Sequence, residues 1–146
     1  MTSRTVLEPT SLLGTWSMDR TIDDRLAGEA STVEGTSELV LEDDGRVRWT
    51  ERGTLRRGDL EIPVSRVLLV EQRESGWWVT FDDGRDFHPW APGDEVVHPC
   101  VADTYVGRIE VQDADRWTVL WQVSGPAKDY TMSSTLTRAD AVPHAS

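Results

Sequence analysis

The chain has 146 residues, with 15 Lys and Arg against 26 Asp and Glu, a formal net charge of −11 and a single cysteine. That length allows one domain with one sizeable core. The acidic balance lacks the basic footprint that phosphate binding needs, which excludes nucleic acid and anionic membranes as partners.

A lone Cys100 excludes an internal disulfide. No apolar run is long enough for a signal peptide or for the roughly 20 residues of a membrane-spanning helix, so a cytoplasmic protein is expected. No stretch carries a helical period; apolar residues alternate instead, with Gly or Asp-Gly between the runs. Residues 1–10 read as a lead with room for one 3₁₀ turn. The first strand, Gly14–Asp23, alternates Trp16, Met18, Arg20 and Ile22 on one face. Glu34–Leu41 follows and ends at Asp43-Asp44-Gly45, where Asp-Gly predicts a type I′ turn. Arg46–Leu55 puts Val47, Trp49 and Glu51 on one face and Arg46, Arg48, Thr50 and Arg52 on the other. After Arg57-Gly58-Asp59 comes Glu61–Arg73, entered through Pro63, a mark of an edge or a strand start.

Ser75-Gly76 turns into Trp77–Phe81, and a second Asp-Asp-Gly at 82–84 leads to Arg85–Trp90. Beyond the loop Ala91–Asp94, residues Glu95–Val111 read as one long strand, bent or bulged at Pro99 and Gly107. Arg116–Val123 lines Trp117, Val119, Trp121 and Val123 along one face. Lys128–Arg138, with Tyr130 and Met132 on one side, closes the pattern, and 139–146 is a frayed tail. The expected fold is all-β: a single antiparallel up-and-down β-barrel of about eight to ten strands over residues 11–138. A barrel of this size encloses one small ligand.

Gly14-x-Trp16 at the start of the first strand and Arg138 at the end of the last resemble the lipocalin and calycin pattern. There a basic residue packs across the Trp and closes the barrel bottom. The chain as a whole resembles an uncharacterised lipocalin-like domain family of bacteria and fungi, of unknown function. That likeness rests on Gly14-x-Trp16 with Arg20 and Ile22, on Asp83-Gly84-Arg85 with Phe87-His88, and on His98-x-Cys100 with Asp103, Tyr105 and Gly107. Val123, Gly125-Pro126 and Lys128-Asp129-Tyr130 complete it. The resemblance implies a barrel and brings no activity with it.

Chemistry-bearing residues concentrate in 82–107, which holds His88, Trp90, His98, Cys100, Asp103 and Tyr105. The expected function is binding of a small, largely apolar organic molecule in the barrel. Trp49, Trp78, Trp90, Trp121, Tyr130 and Met132 would form its walls, His88 and Cys100 would face it, and Arg20, His98, Tyr105 and Lys128 would anchor it. The alternative is a cofactor-free cyclase, isomerase or hydratase using His98, Asp103, Tyr105 and Glu51 as acid and base. An inward Glu51 would have its pKa raised by desolvation. Arg20 would either pair with Glu51 or grip a ligand carboxylate. No metal or cofactor is expected: the paired spacings of zinc sites, such as Cys-x-x-Cys, are missing, and the other metal option is haem held through His98 or His88. A third class is an interaction protein or a homodimer joined through a strand edge.

Overall fold

A computed structural model describes residues 7–139. A 3₁₀ turn over Pro9–Leu12 leads into ten strands. They are β1 Gly14–Asp24, β2 Glu29–Leu41, β3 Val47–Arg57, β4 Leu60–Arg73, β5 Gly76–Phe81, β6 Asp86–Pro89, β7 Glu95–Pro99, β8 Thr104–Asp113, β9 Arg116–Gly125 and β10 Lys128–Arg138. Every paired neighbour is antiparallel, and β1 pairs with β10, so the meander wraps into a nearly closed barrel. Its one unpaired junction is the seam between the short strands β6 and β7. No helix among the described residues is long and apolar enough to cross a membrane.

The stretch expected as one strand, 95–111, is a hairpin. Cys100 N donates to Asp103 O at 2.7 Å, and β7 runs back along β8 in the register His98↔Tyr105. Pro99 supplies no amide donor, which makes continuation of the ladder past it costly. The two Asp-Asp-Gly turns also differ from expectation. Each is a three-residue loop in which Gly45 or Gly84 alone takes positive φ, with its amide bonded to the carbonyl of Glu42 or Phe81. A type I′ turn would need positive φ at the Asp as well, and no non-glycine residue among those described takes it. The Asp carboxylates instead accept from the amides of Arg46 and Arg85, at 3.0 Å each.

Hairpin loops alternate between the two ends of the barrel, and the ends differ. At one end Leu12, Val47, Val70 and Leu136 pack with Trp16, Trp49, Trp90 and Trp117 into a sealed core. Trp117 sits 5.8 Å from Trp16 and 5.4 Å from Trp49, ring centre to ring centre. The 3₁₀ turn caps this end, because Trp16 Nε1 donates to Leu12 O at 2.8 Å. The Arg138 guanidinium lies over the Trp16 ring at 4.2 Å and also donates to Leu13 O and Ala114 O. The packing that the Gly-x-Trp and Arg pattern implies is therefore present. The tail expected from residue 139 lies, apart from Ala139, outside the described residues.

Glycine shapes the wall near the other end. Gly35 and Gly53 face each other across β2 and β3. A Cβ on Gly35 would stand 1.9 Å from Arg52 O, and one on Gly53 would stand 2.5 Å from Glu34 O. Only glycine permits this close approach, through which the sheet coils into a barrel. On β4 the ladder to β5 covers only Leu68–Arg73, so Leu60–Val67, including Pro63, forms an edge.

Arg138→Ala should cost about 2 kcal/mol, from the lost cation–π contact and two carbonyls left without their donor. Arg138→Lys should recover only part of it, since an ammonium lacks the planar fork. Urea unfolding of the three proteins measures both.

Candidate functional site

Alternation on β3 points Val47, Trp49 and Glu51 into the barrel, so a carboxylate is built into the interior. Its neighbours follow from strand register. Ser37 on β2 and Arg66 on β4 lie directly across from Glu51, and Arg20 enters from β1 on the same inward face. Arg20 Nη2 donates to Glu51 Oε1 at 3.1 Å and Oε2 at 3.0 Å. Arg66 Nη2 donates to Oε1 at 3.0 Å, and Ser37 Oγ to Oε2 at 3.3 Å. Ser134 Oγ accepts from Arg20 Nε at 2.7 Å, and Ser37 Oγ accepts from Trp49 Nε1 at 2.9 Å.

Burial pushes the Glu51 carboxyl up, but Arg66 and Arg20 together outweigh it and hold it below the ordinary carboxylate range. The expected desolvation is real, and two guanidiniums reverse its outcome. Burial lowers the Arg20 guanidinium from its ordinary value; Glu51 opposes that shift and Arg66 adds to it.

This cluster borders a cavity of about 230 Å³ that opens to solvent beside the free edge of β4. Met18, Val64, Met132 and Tyr130 form its less polar walls. Burial raises the Tyr130 phenol, with Tyr105 contributing. Arg66 went unnoticed in the sequence. The signal was its place on the alternation Val64, Arg66, Leu68, Val70, which puts a cation on an apolar inward face.

The seam between β6 and β7 is closed by rings. The β5–β6 register shifts at Val79/Thr80, leaving Phe87 without a partner, so Phe87 and His88 are both buried. Phe87 stacks on Phe81 at 4.7 Å and on Trp121 at 5.0 Å. His98 meets Phe87 edge-on at 5.2 Å from the opposite side of the seam. Trp121 is seated over Gly107, where a Cβ would stand 2.5 Å from the indole. His88 Nδ1 lies 2.8 Å from Pro89 O, a contact in which Nδ1–H donates to the carbonyl. Burial lowers its pKa to about 4, with Arg66 and His98 assisting and the Pro89 carbonyl opposing.

The other expected site residues divide by place. Tyr105, Lys128 and Asp103 form a rim group: Lys128 Nζ donates to Tyr105 Oη at 3.0 Å and lies 3.4 Å from Asp103. Tyr105 raises the Lys128 ammonium well above its usual range. No hydrogen bond among the described residues joins His98, Asp103, Tyr105 and Glu51 to one another. Trp49 and Trp90 belong to the sealed core, where Trp90 Nε1 donates to Leu7 O at 2.8 Å. Trp78 lies on the outer face under the Arg73 guanidinium, at 5.2 Å, because β5 points Trp77 and Val79 the other way. Cys100 is exposed in the β7–β8 turn. These placements differ from the sequence reading, in which Trp49, Trp78 and Trp90 form cavity walls and Cys100 faces the ligand. Among the described residues no group of three or more His, Cys, Asp and Glu side chains is placed to hold a metal ion.

A ten-stranded barrel, sealed by tryptophans at one end and open at the other onto a buried charge cluster, defines a cup-shaped antiparallel barrel protein. The chain belongs to DUF6314, a family of unknown function, which it matches over residues 12–138. No curated protein matches its sequence. Among solved structures it is similar to the S-type phycobiliprotein lyase CPES from Guillardia theta, at 14% identity and a TM-score of 0.64, covering 92% of this chain and 93% of that one. It is also similar to a protein of unknown function from the DUF3598 family of Nostoc punctiforme, at 14% identity and a TM-score of 0.58. That match covers 92% of this chain but only 49% of the other. At these identities the likeness is one of fold.

Two outcomes follow from the site's charges. Glu51→Gln leaves Arg20 and Arg66 facing each other in a poorly solvated wall and should cost about 3–5 kcal/mol in urea unfolding. The second concerns acid. Unfolded, the His88 imidazole takes a proton below its ordinary 6.5, but the folded one resists until about 4. Its stabilising contribution is therefore complete above pH 6.5 and falls away as pH drops, by roughly 3 kcal/mol at the limit. Glu51 adds to the loss only below its ordinary 4.5, so the slope of stability between pH 4.5 and 6.5 reports on His88. His88→Gln should flatten that slope.

Proposed function

We propose that the chain binds a small, largely apolar organic molecule in the open half of its barrel, as the lipocalin-like pattern of its strands suggests. The observation that carries this reading is the cavity itself. Met18, Val64, Met132 and Tyr130 surround a void beside fixed polar groups, the usual construction of a small-molecule site. A volume of about 230 Å³ suits a compact ligand. Ligand pockets for drug-sized molecules run from about 300 to 1,000 Å³.

An acid–base enzyme in the same cavity finds less support. Glu51 is engaged by two arginines and Asp103 by Lys128, so neither carboxylate is poised beside a free proton donor. His98 packs against Phe81 and Phe87, in a role that the closure of the seam accounts for.

The test uses a neutral fluorescent probe, 1-aminoanthracene. Its emission should rise on addition of the protein, and Met132→Trp, which fills the void, should weaken binding at least about tenfold. Trp78→Ala, on the outer face, should leave affinity unchanged. Equal binding by the Met132→Trp protein would place the probe elsewhere and overturn the reading.

A further inference from the structure

We propose that the molecule taken by this cavity carries a single carboxylate and that Arg66 is the residue that grips it; this rests on reading the open half of the barrel as a ligand site. The argument begins with charge. Two guanidiniums, Arg20 and Arg66, share one carboxylate, Glu51, and among the described residues Glu51 is the sole acidic side chain lining the cavity. The cluster therefore keeps one surplus positive charge, and Arg52 at the mouth adds another. This occurs in a chain whose net charge is −11. A surplus cation in a partly desolvated wall is costly unless something neutralises it.

Hydrogen bonding identifies which arginine is free. Both Glu51 oxygens are used, Oε1 by Arg20 and Arg66 and Oε2 by Arg20 and Ser37. Arg20 is held from two sides, by Glu51 through Nη2 and by Ser134 through Nε. Arg66 makes one side-chain hydrogen bond, through Nη2, and its Nε is buried without a partner. Its side chain is 33% exposed, against 10% for Arg20, so Arg66 is the one a ligand can reach.

The ligand class follows. A monoanion balances the surplus, a neutral molecule leaves it, and a cation is repelled. Arg66 presents a planar fork with donors to spare, the geometry that recognises a carboxylate. Met18, Met132 and Val64 then receive the apolar remainder. Arg66→Met removes the surplus charge and leaves Arg20 and Glu51 as a balanced pair, so the variant should fold.

Isothermal titration of the whole chain with two matched pairs tests the proposal: decanoate with decanol, and 2-naphthoate with 2-naphthylmethanol. In at least one pair the acid should bind about tenfold or more tightly than the alcohol. Arg66→Met should bring that acid down to the level of its alcohol while the alcohol itself changes by less than about twofold. The unchanged alcohol shows that the cavity has survived; Arg66→Gln serves if the Met variant does not fold. Absence of any acid preference, or a preference that persists in the variant, overturns the carboxylate assignment and leaves the ligand site standing. Rejection of all four compounds overturns both.

Discussion

A carboxylate inside a barrel must be neutralised where it stands, and the open half of this molecule is organised around that requirement. Glu51 arrives at the interior because strand alternation gives it no other side to face. Ser37 and Arg66 are brought opposite it by register, and Arg20 reaches it from β1. The consequences extend outward from there. Ser37 also receives the Trp49 indole, which ties the charge cluster to the sealed core, and Ser134 steadies Arg20 from β10. Strands on both sides of the β1–β10 closure are thereby coupled through one anion. Breaking such a group is expensive even where assembling it yields little net stability.

The barrel manages its two ends and its seam by different means. The sealed end uses apolar area and indole N–H groups that find backbone carbonyls at Leu12 and Leu7. The seam between β6 and β7 has no ladder, so side chains replace backbone hydrogen bonds there. Phe81, Phe87 and Trp121 stack across it in the open half, and His98 meets Phe87 edge-on. Nearer the sealed end, the loop between β6 and β7 is tied at each side: Trp90 N donates to Trp77 O and Gly93 N to Ile109 O. The bulge that turns Phe87 and His88 inward together is what allows a four-residue strand to supply two buried rings. Its price is an imidazole kept neutral by burial, and hence a fold sensitive to acid.

Interior charge and aromatic closure together explain why the cavity lies where it does. At the sealed end the tryptophans pack with Leu12, Val47, Val70 and Leu136. Across the open half, Gly35 and Gly53 contribute no side chains, and β4 runs without a β5 neighbour. Space remains between Met18, Val64 and Met132, with the Arg20–Glu51–Arg66 group at its side. The void thus combines an apolar wall with two guanidiniums that share one buried carboxylate.

The sequence by itself determined most of the strands, their antiparallel order and the inward faces outside 82–111, because these depend on local alternation and on glycine punctuation. Val47, Trp49 and Glu51 on β3, and Trp117 through Val123 on β9, were legible for that reason, while the packing of Arg138 on Trp16 was implied by the lipocalin-like resemblance. Tertiary structure alone decided what the inward residues do. Local pattern cannot distinguish Trp49 and Trp90, which fill the sealed end, from Trp121, which packs on Phe87 at the seam, because that depends on height along the barrel. It cannot show that Glu51 meets two arginines, since Arg66 is brought opposite it only by the β3–β4 register. Nor can it show that residues 100–103 reverse the chain or that one unmatched residue turns His88 inward. Those outcomes rest on pairing between strands, a property of the closed barrel rather than of any segment within it.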